Sequence, residues 1–269
     1  MEKAKKLFDP IWEDYLKQNP EVKKVYELFT NLGEEVVNDH IAFRTFNDPR
    51  VNIDVLAKPF IDAGYEFRGE YTFEQKHLYA KHFELKGFKN APRIFISELK
   101  LEEMSAFVRE TALRIIDQIP ANILSSSNVI LSGRSWEQPS FATYEQLRHE
   151  SEYAAWVYVY GFRANHFTVS INALKTLNTI EKVNQFLKDK GFLMNDSGGE
   201  IKGTPAELLE QSSIKAGTLP IEFMDGVHEI PSCYYEFARR YADKNGELYG
   251  GFIAKSADKI FESTDFYKK

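Results

Sequence analysis

"NHFTVSIN", residues 165–172, places His166, Thr168, Ser170 and Asn172 at every second position, with Phe167, Val169 and Ile171 between them. Successive side chains of a strand point to opposite faces, so this spelling predicts a half-buried strand with one apolar side and one polar side. A polar face headed by a histidine has no use in a dry core, so it is expected to line something wet and chemical.

The same signals occur earlier in the chain. "HIAFRTF", residues 40–46, sets His40, Ala42 and Arg44 on one face against Ile41 and Phe43, and an amphipathic run, "VNIDVLAKPFIDAGYEF", follows. After His166 the corresponding run is "LNTIEKVNQFLKDKGFLM". Gly64 lies 24 residues beyond His40 and Gly191 lies 25 beyond His166. Each half then reaches a strand-like run with a glutamate, "RIFISEL" with Glu98 and "SCYYEFA" with Glu236. In the second run parity groups Ser232, Tyr234, Glu236 and Ala238 against Cys233, Tyr235 and Phe237. A repeated order of His-strand, helix, strands and Glu-strand predicts an α+β fold of paired βαβββ-type modules, equivalent residues meeting near a pseudo-twofold axis. The expected organisation is a single catalytic domain, 1–269. It has an N-terminal helical cap at 1–35, a first module at 36–101, a helical insertion at 102–160 and a second module at 161–269.

Helical spacing predicts two helices between Lys3 and Leu32 divided near Pro20, and a helix from Glu102 to Ile119 ended by Pro120. A further helix is expected through "TYEQLRHESEYAAWVYVYG".

With 269 residues, 43% of them hydrophobic, the chain can bury a substantial core. A formal charge of −6 with interspersed signs offers no stripe for nucleic acid or an anionic membrane. One cysteine, Cys233, permits no internal disulfide and points to a reducing compartment. The N-terminus lacks a signal-peptide core and no stretch reaches transmembrane length, so a soluble cytoplasmic protein is expected.

Two histidines and a carboxylate brought together from separate strands, with other positions open, form the facial triad that holds non-haem iron(II). His40, His166 and Glu236 are the favoured set, on the repeat and on parity. Glu229, in a loop beside His228, is the rival carboxylate, and Glu98 is a possible fourth ligand. His77 and His82 fall on opposite faces of one strand, and His149 sits on a charged helix. Arg44 is either a sheet-edge arginine in a surface ion pair or a carboxylate-binding residue. Four residues of strand put it about 13 Å from His40, within reach of a long side chain leaning back.

Taken together, "HIAFRTF", "PRIFISELKLEE", "NHFTVSIN", "YYEFARR" and "GGFIAKSADKIFEST" resemble the 2-oxoadipate dioxygenase/decarboxylase family over most of the chain. That family is similar to the vicinal oxygen chelate superfamily, whose modules curl around a metal. The resemblance implies an iron(II) enzyme that converts 2-oxoadipate and dioxygen to 2-hydroxyglutarate and carbon dioxide in lysine catabolism, without an organic cofactor. It implies metal ligands at His40, His166 and Glu236 and a substrate-carboxylate contact at Arg44; apart from the resemblance, Thr168, Ser170 and Tyr234 either orient these ligands through hydrogen bonds or are ordinary strand residues. A glyoxalase-like lyase or isomerase using zinc, nickel or manganese, and a non-catalytic small-acid-binding module, are the alternatives on the same frame.

Overall fold

The computed structural model describes residues 2–254 apart from 89, 127 and 128. The end of the motif "GGFIAKSADKIFEST", from residue 255 on, lies outside the described residues. Helices α1 (Glu2–Gln18) and α2 (Pro20–Asn31) open the chain, and Pro20 begins the second, where its missing N–H costs no helical bond. Then β1 (Asn38–Phe46), α3 (Ile53–Asp62), β2 (Tyr65–Phe73), β3 (Leu78–Leu85) and β4 (Arg93–Leu99) make a βαβββ unit. Helices α4 (Ala106–Asp117), α5 (Ala121–Leu124), α6 (Phe141–Glu150) and α7 (Glu152–Tyr160) follow. The second unit is β5 (Ala164–Ser170), α8 (Ile180–Asp189), β6 (Lys202–Thr204), β7 (Leu209–Ser213), a hairpin of β8 (Thr218–Phe223) and β9 (Gly226–Pro231), and β10 (Glu236–Arg240).

Among the described residues, eight strands form one curled sheet in the order β2-β3-β4-β1-β5-β10-β7-β6, while β8 and β9 pair separately. Read outward from the β1–β5 seam the two halves match, with β4, β3 and β2 on one side and β10, β7 and β6 on the other. Each crossover helix ends in a left-handed glycine, Gly64 at φ +100° and Gly191 at φ +88°, where a side chain would be strained.

The convex face packs as the alternation requires. Phe43 meets Phe60 of α3, Phe167 meets Trp12 and Tyr15 of α1, and Phe237 meets Phe29 of α2. Ring pairs of this kind add about 0.5–1.5 kcal/mol each beyond burial.

Four expectations are corrected. The helix expected from Glu102 starts at Ala106, because Ser105 caps it by accepting from the Val108 N–H after a short 3-10 turn at Leu101–Glu103. The helix expected through "TYEQLRHESEYAAWVYVYG" is two, broken at Ser151, whose hydroxyl caps α7 by accepting from the Ala154 N–H. Strand β5 stops at Ser170, and Asn172 lies in a 3-10 turn, exchanging two 2.8 Å hydrogen bonds with the Arg240 backbone. Strand β10 begins only at Glu236, so 232–235 approach it as irregular chain.

Candidate metal centre

The β1–β5 seam carries two matched irregularities. Asn38 lies opposite Val169 and His40 opposite Thr168, which leaves Asp39 as an extra residue on β1. Ala42 lies opposite His166 and Phe43 opposite Ala164, which leaves Asn165 extra on β5. A bulge re-aims the side chain it displaces. Here each extra residue turns alongside the histidine that follows it. His40 Nδ1 donates to Asp39 Oδ2 at 2.8 Å and His166 Nδ1 to Asn165 Oδ1 at 2.9 Å. With Nδ1 protonated, each imidazole turns its Nε2 lone pair into the cup.

Glu236 completes the cluster from the first position of β10, opposite Thr168. Its carboxylate lies 3.5 Å from His40 Nε2 and 3.2 Å from His166 Nε2. One ligand atom from each of the three residues falls within 4.8 Å of the other two, and all three residues are buried. Gln211 on β7 donates to Glu236 Oε1 at 2.6 Å, and the Thr168 hydroxyl meets His40 Nε2 at 3.0 Å. Burial pushes the Glu236 carboxyl up, but the neighbouring histidines outweigh it and hold the group below its usual range. Burial pulls the His166 imidazole down, against the opposing pull of Glu236. The donor set is therefore an ionised carboxylate and imidazole nitrogens, facing one another in a place shielded from water. Such groups require a cation or a proton between them, and imidazole with carboxylate suits a divalent transition ion. The residues fit a metal.

Arg44 is neither exposed nor at a sheet edge. It lies on a central strand at 2% exposure, on the face of His40 and Ala42. Its guanidinium stacks 5.0 Å from the Tyr153 ring and 5.3 Å from Trp156, with Glu152 at 3.8 Å, so α7 closes this end of the cup. Tyr153 itself is fastened to β1 and β4 through its hydroxyl, which bonds Thr45 N and Ser97 O. Beside the triad, the Tyr234 ring stacks on His166 at 4.7 Å.

The other candidates lie elsewhere. A twofold exchanging His40 with His166 turns the pair His40–Thr168 into His166–Ala42 and leaves Ile41 facing Phe167, as observed. Under it Glu236, opposite Thr168, corresponds to Phe95, opposite Ala42. Glu98 is thus not the counterpart of Glu236. It pairs with Thr45, on the face away from His40, and accepts from the Ile53 N–H at the start of α3. Glu229 is exposed on the β8–β9 hairpin, and His228 is on strand β9 rather than in a loop, stacked on Phe141 at 3.6 Å. His77 precedes β3 and bonds Glu103, His149 is exposed on α6, and His82 is buried against Tyr71.

Strand parity does not single out Asp39, Asn165 or Gln211. The repeat holds a signal for the first two, since each histidine is preceded by a residue with a short side-chain acceptor.

Paired βαβββ modules sharing one curled sheet define a fold of the vicinal oxygen chelate type. A glyoxalase superfamily protein from Ralstonia eutropha, so described provisionally, shares it at TM-score 0.77 with 20% identity, over 93% of this chain and 86% of that one. The sequence profile of 2-oxoadipate dioxygenase/decarboxylase matches residues 4–249, and the chain belongs to that family. The chloroplastic enzyme of that name from Arabidopsis thaliana is 38% identical over 93% of this chain and 74% of its own length. The crystal structure of hydroxyglutarate synthase from Oryza sativa in complex with 2-oxoadipate is 35% identical, with TM-score 0.89, over 97% of this chain and 91% of that one.

Proposed function

We propose that this chain is a non-haem iron(II) enzyme that converts 2-oxoadipate, or a closely similar 2-oxo acid, to 2-hydroxyglutarate with release of carbon dioxide, in lysine breakdown. The observation that carries the reading is the convergence of His40, His166 and Glu236 within 4.8 Å, in a chain of this family. The reaction balances with one dioxygen consumed and one carbon dioxide released for each six-carbon acid shortened to five.

His40, His166 and Glu236 would hold the iron, three protein ligands that would leave a 2-oxo acid and dioxygen access to it. Bound iron(II) supplies dioxygen activation and the oxidative loss of the carboxylate next to the keto group, the substrate providing the electrons. Asp39 and Asn165 keep the imidazoles turned inward, and Gln211 fixes one carboxylate oxygen of Glu236. Arg44 binds the far carboxylate of the substrate, its planar fork kept in orientation by the rings of Tyr153 and Trp156. That contact positions the substrate chain between two fixed ends. The buried Tyr234 hydroxyl, which has no hydrogen-bond partner among the described residues, offers a further donor to the bound acid. We place the protein in the cytoplasm on its single buried cysteine; among the described residues no helix is long and apolar enough to cross a membrane.

The test is oxygen uptake and carbon dioxide release when 2-oxoadipate is added to iron-loaded protein. The lyase alternative is favoured by anaerobic turnover, or by a firmly bound non-redox metal with Glu98 as a fourth ligand; Glu98 here accepts from the Ile53 N–H on the far side of the sheet.

A further inference from the structure

Arg240, the last residue of β10, is 3% exposed and reaches two places at once. Its Nε and Nη2 donate to the two oxygens of Asp39 at 2.7 and 2.9 Å, and Asp39 is the residue that holds His40 Nδ1. Its Nη1 donates to the carbonyls of Tyr249 and Gly251 at 2.9 and 2.7 Å.

Those carbonyls belong to segment 249–252, which leaves the second module and crosses the concave side of the first. Phe252 N–H donates to the Tyr71 hydroxyl on β2 at 3.1 Å. A side chain at Gly250 would meet Glu84 of β3 at 2.8 Å, so the segment lies close against that strand. The Phe252 ring rests 4.8 Å from Phe95 on β4 and meets His40 edge to face at 4.9 Å, and the Arg240 guanidinium lies 5.1 Å from the same ring. One buried cation thus touches the acceptor that orients His40 and the backbone of the segment that covers it.

We propose that Arg240 is a positioning residue that couples the seating of segment 249–252 to the orientation of His40, so that a metal ion at the triad and the closed cover stabilise each other. A metal fixes His40, His40 fixes Asp39, Asp39 fixes the guanidinium, and the guanidinium holds the carbonyls of the cover. Coupling of this kind is reciprocal, so metal binding must raise protection of the cover. The proposal rests on the metal-centre reading above.

Zinc, which is redox-silent, is the probe. Amide hydrogen exchange across 249–252 and zinc affinity by chelator competition are measured on the full chain, for wild type, Arg240→Lys and Asp39→Asn. Lysine keeps a charge for Asp39 but cannot also span two carbonyls. In wild type, zinc slows exchange of 249–252. Arg240→Lys binds zinc about tenfold more weakly, as loss of a ligand's outer support does, and at saturating zinc shows no slowing. Equal slowing in wild type and Arg240→Lys, unchanged affinity in the variant, or no slowing in wild type that binds zinc overturns the proposal. If Arg240→Lys does not fold, Asp39→Asn decides: lost slowing supports the coupling and retained slowing overturns it. Wild type that binds no zinc overturns the metal-centre reading itself, and this proposal with it.

Discussion

The imidazoles of His40 and His166 meet edge to face across the β1–β5 seam with centroids 5.6 Å apart, and each is steadied by the residue just before it in sequence. The two bulges make this possible. Without them Asp39 and Asn165 would point to the helix side of the sheet, and each histidine would lose the acceptor at its Nδ1.

Replacing either histidine by alanine is expected to remove metal binding while the fold persists. Loss of a ligand costs more than the roughly 10–100-fold that loss of its outer partner costs. Metal content after equilibrium dialysis, beside the circular dichroism spectrum, measures both. Unchanged metal content would leave the histidines as sheet residues only.

Gln211→Leu keeps all three ligands but frees Glu236 Oε1 from its 2.6 Å donor. Metal affinity should fall about 10–100-fold. An affinity within twofold of wild type would show that Gln211 does not position the carboxylate.

Arg44→Met should raise KM for 2-oxo acids carrying a second carboxylate by about 10–100-fold, the worth of hydrogen bonds to a charged group. A 2-oxo monocarboxylic acid of the same length should change little. Arg44→Lys should restore only part of the loss, because an ammonium cannot reproduce the planar fork. Equal losses for both acids would argue that Arg44 only supports α7.

The Asp39 carboxyl is held far below the usual range. Burial opposes ionisation, and Arg240 with the His40 hydrogen bond overcomes it. A depressed folded-state pKa stabilises the fold above the unfolded value and loses that stabilisation as pH falls toward the folded value. Asp39→Asn should therefore destabilise the protein by about 3–5 kcal/mol at neutral pH, the cost of breaking a buried pair. The gap between wild type and variant should shrink as pH falls below about 4. Urea melts across pH test this, and a gap that grew on acidification would reverse the sign.

Much of this frame was legible because it is written in local periods. Alternation in "NHFTVSIN" and "HIAFRTF" marks β1 and β5 and their apolar faces, and the glycines after α3 and α8 mark the turns. What escaped depends on pairing between distant strands. The counterpart of Glu236 is Phe95 rather than Glu98, a three-residue offset visible only in the register of β4 against β1. Asp39 and Asn165 escaped because strict alternation sends them to the wrong face, and only the bulges turn them back. The break at Ser151 is a single cap inside an otherwise continuous helical spelling, and it places Tyr153 and Trp156 over Arg44.

Counting gases against substrate separates oxidative decarboxylation from any reaction that needs no dioxygen. Protein loaded anaerobically with iron(II) is given a limiting amount of 2-oxoadipate in oxygenated buffer, and dioxygen uptake, carbon dioxide release and 2-hydroxyglutarate are measured together. Dioxygen consumed, carbon dioxide released and 2-hydroxyglutarate formed should stand in a ratio of one to one to one. Turnover without dioxygen, or none by iron-loaded protein that retains its metal, would contradict it.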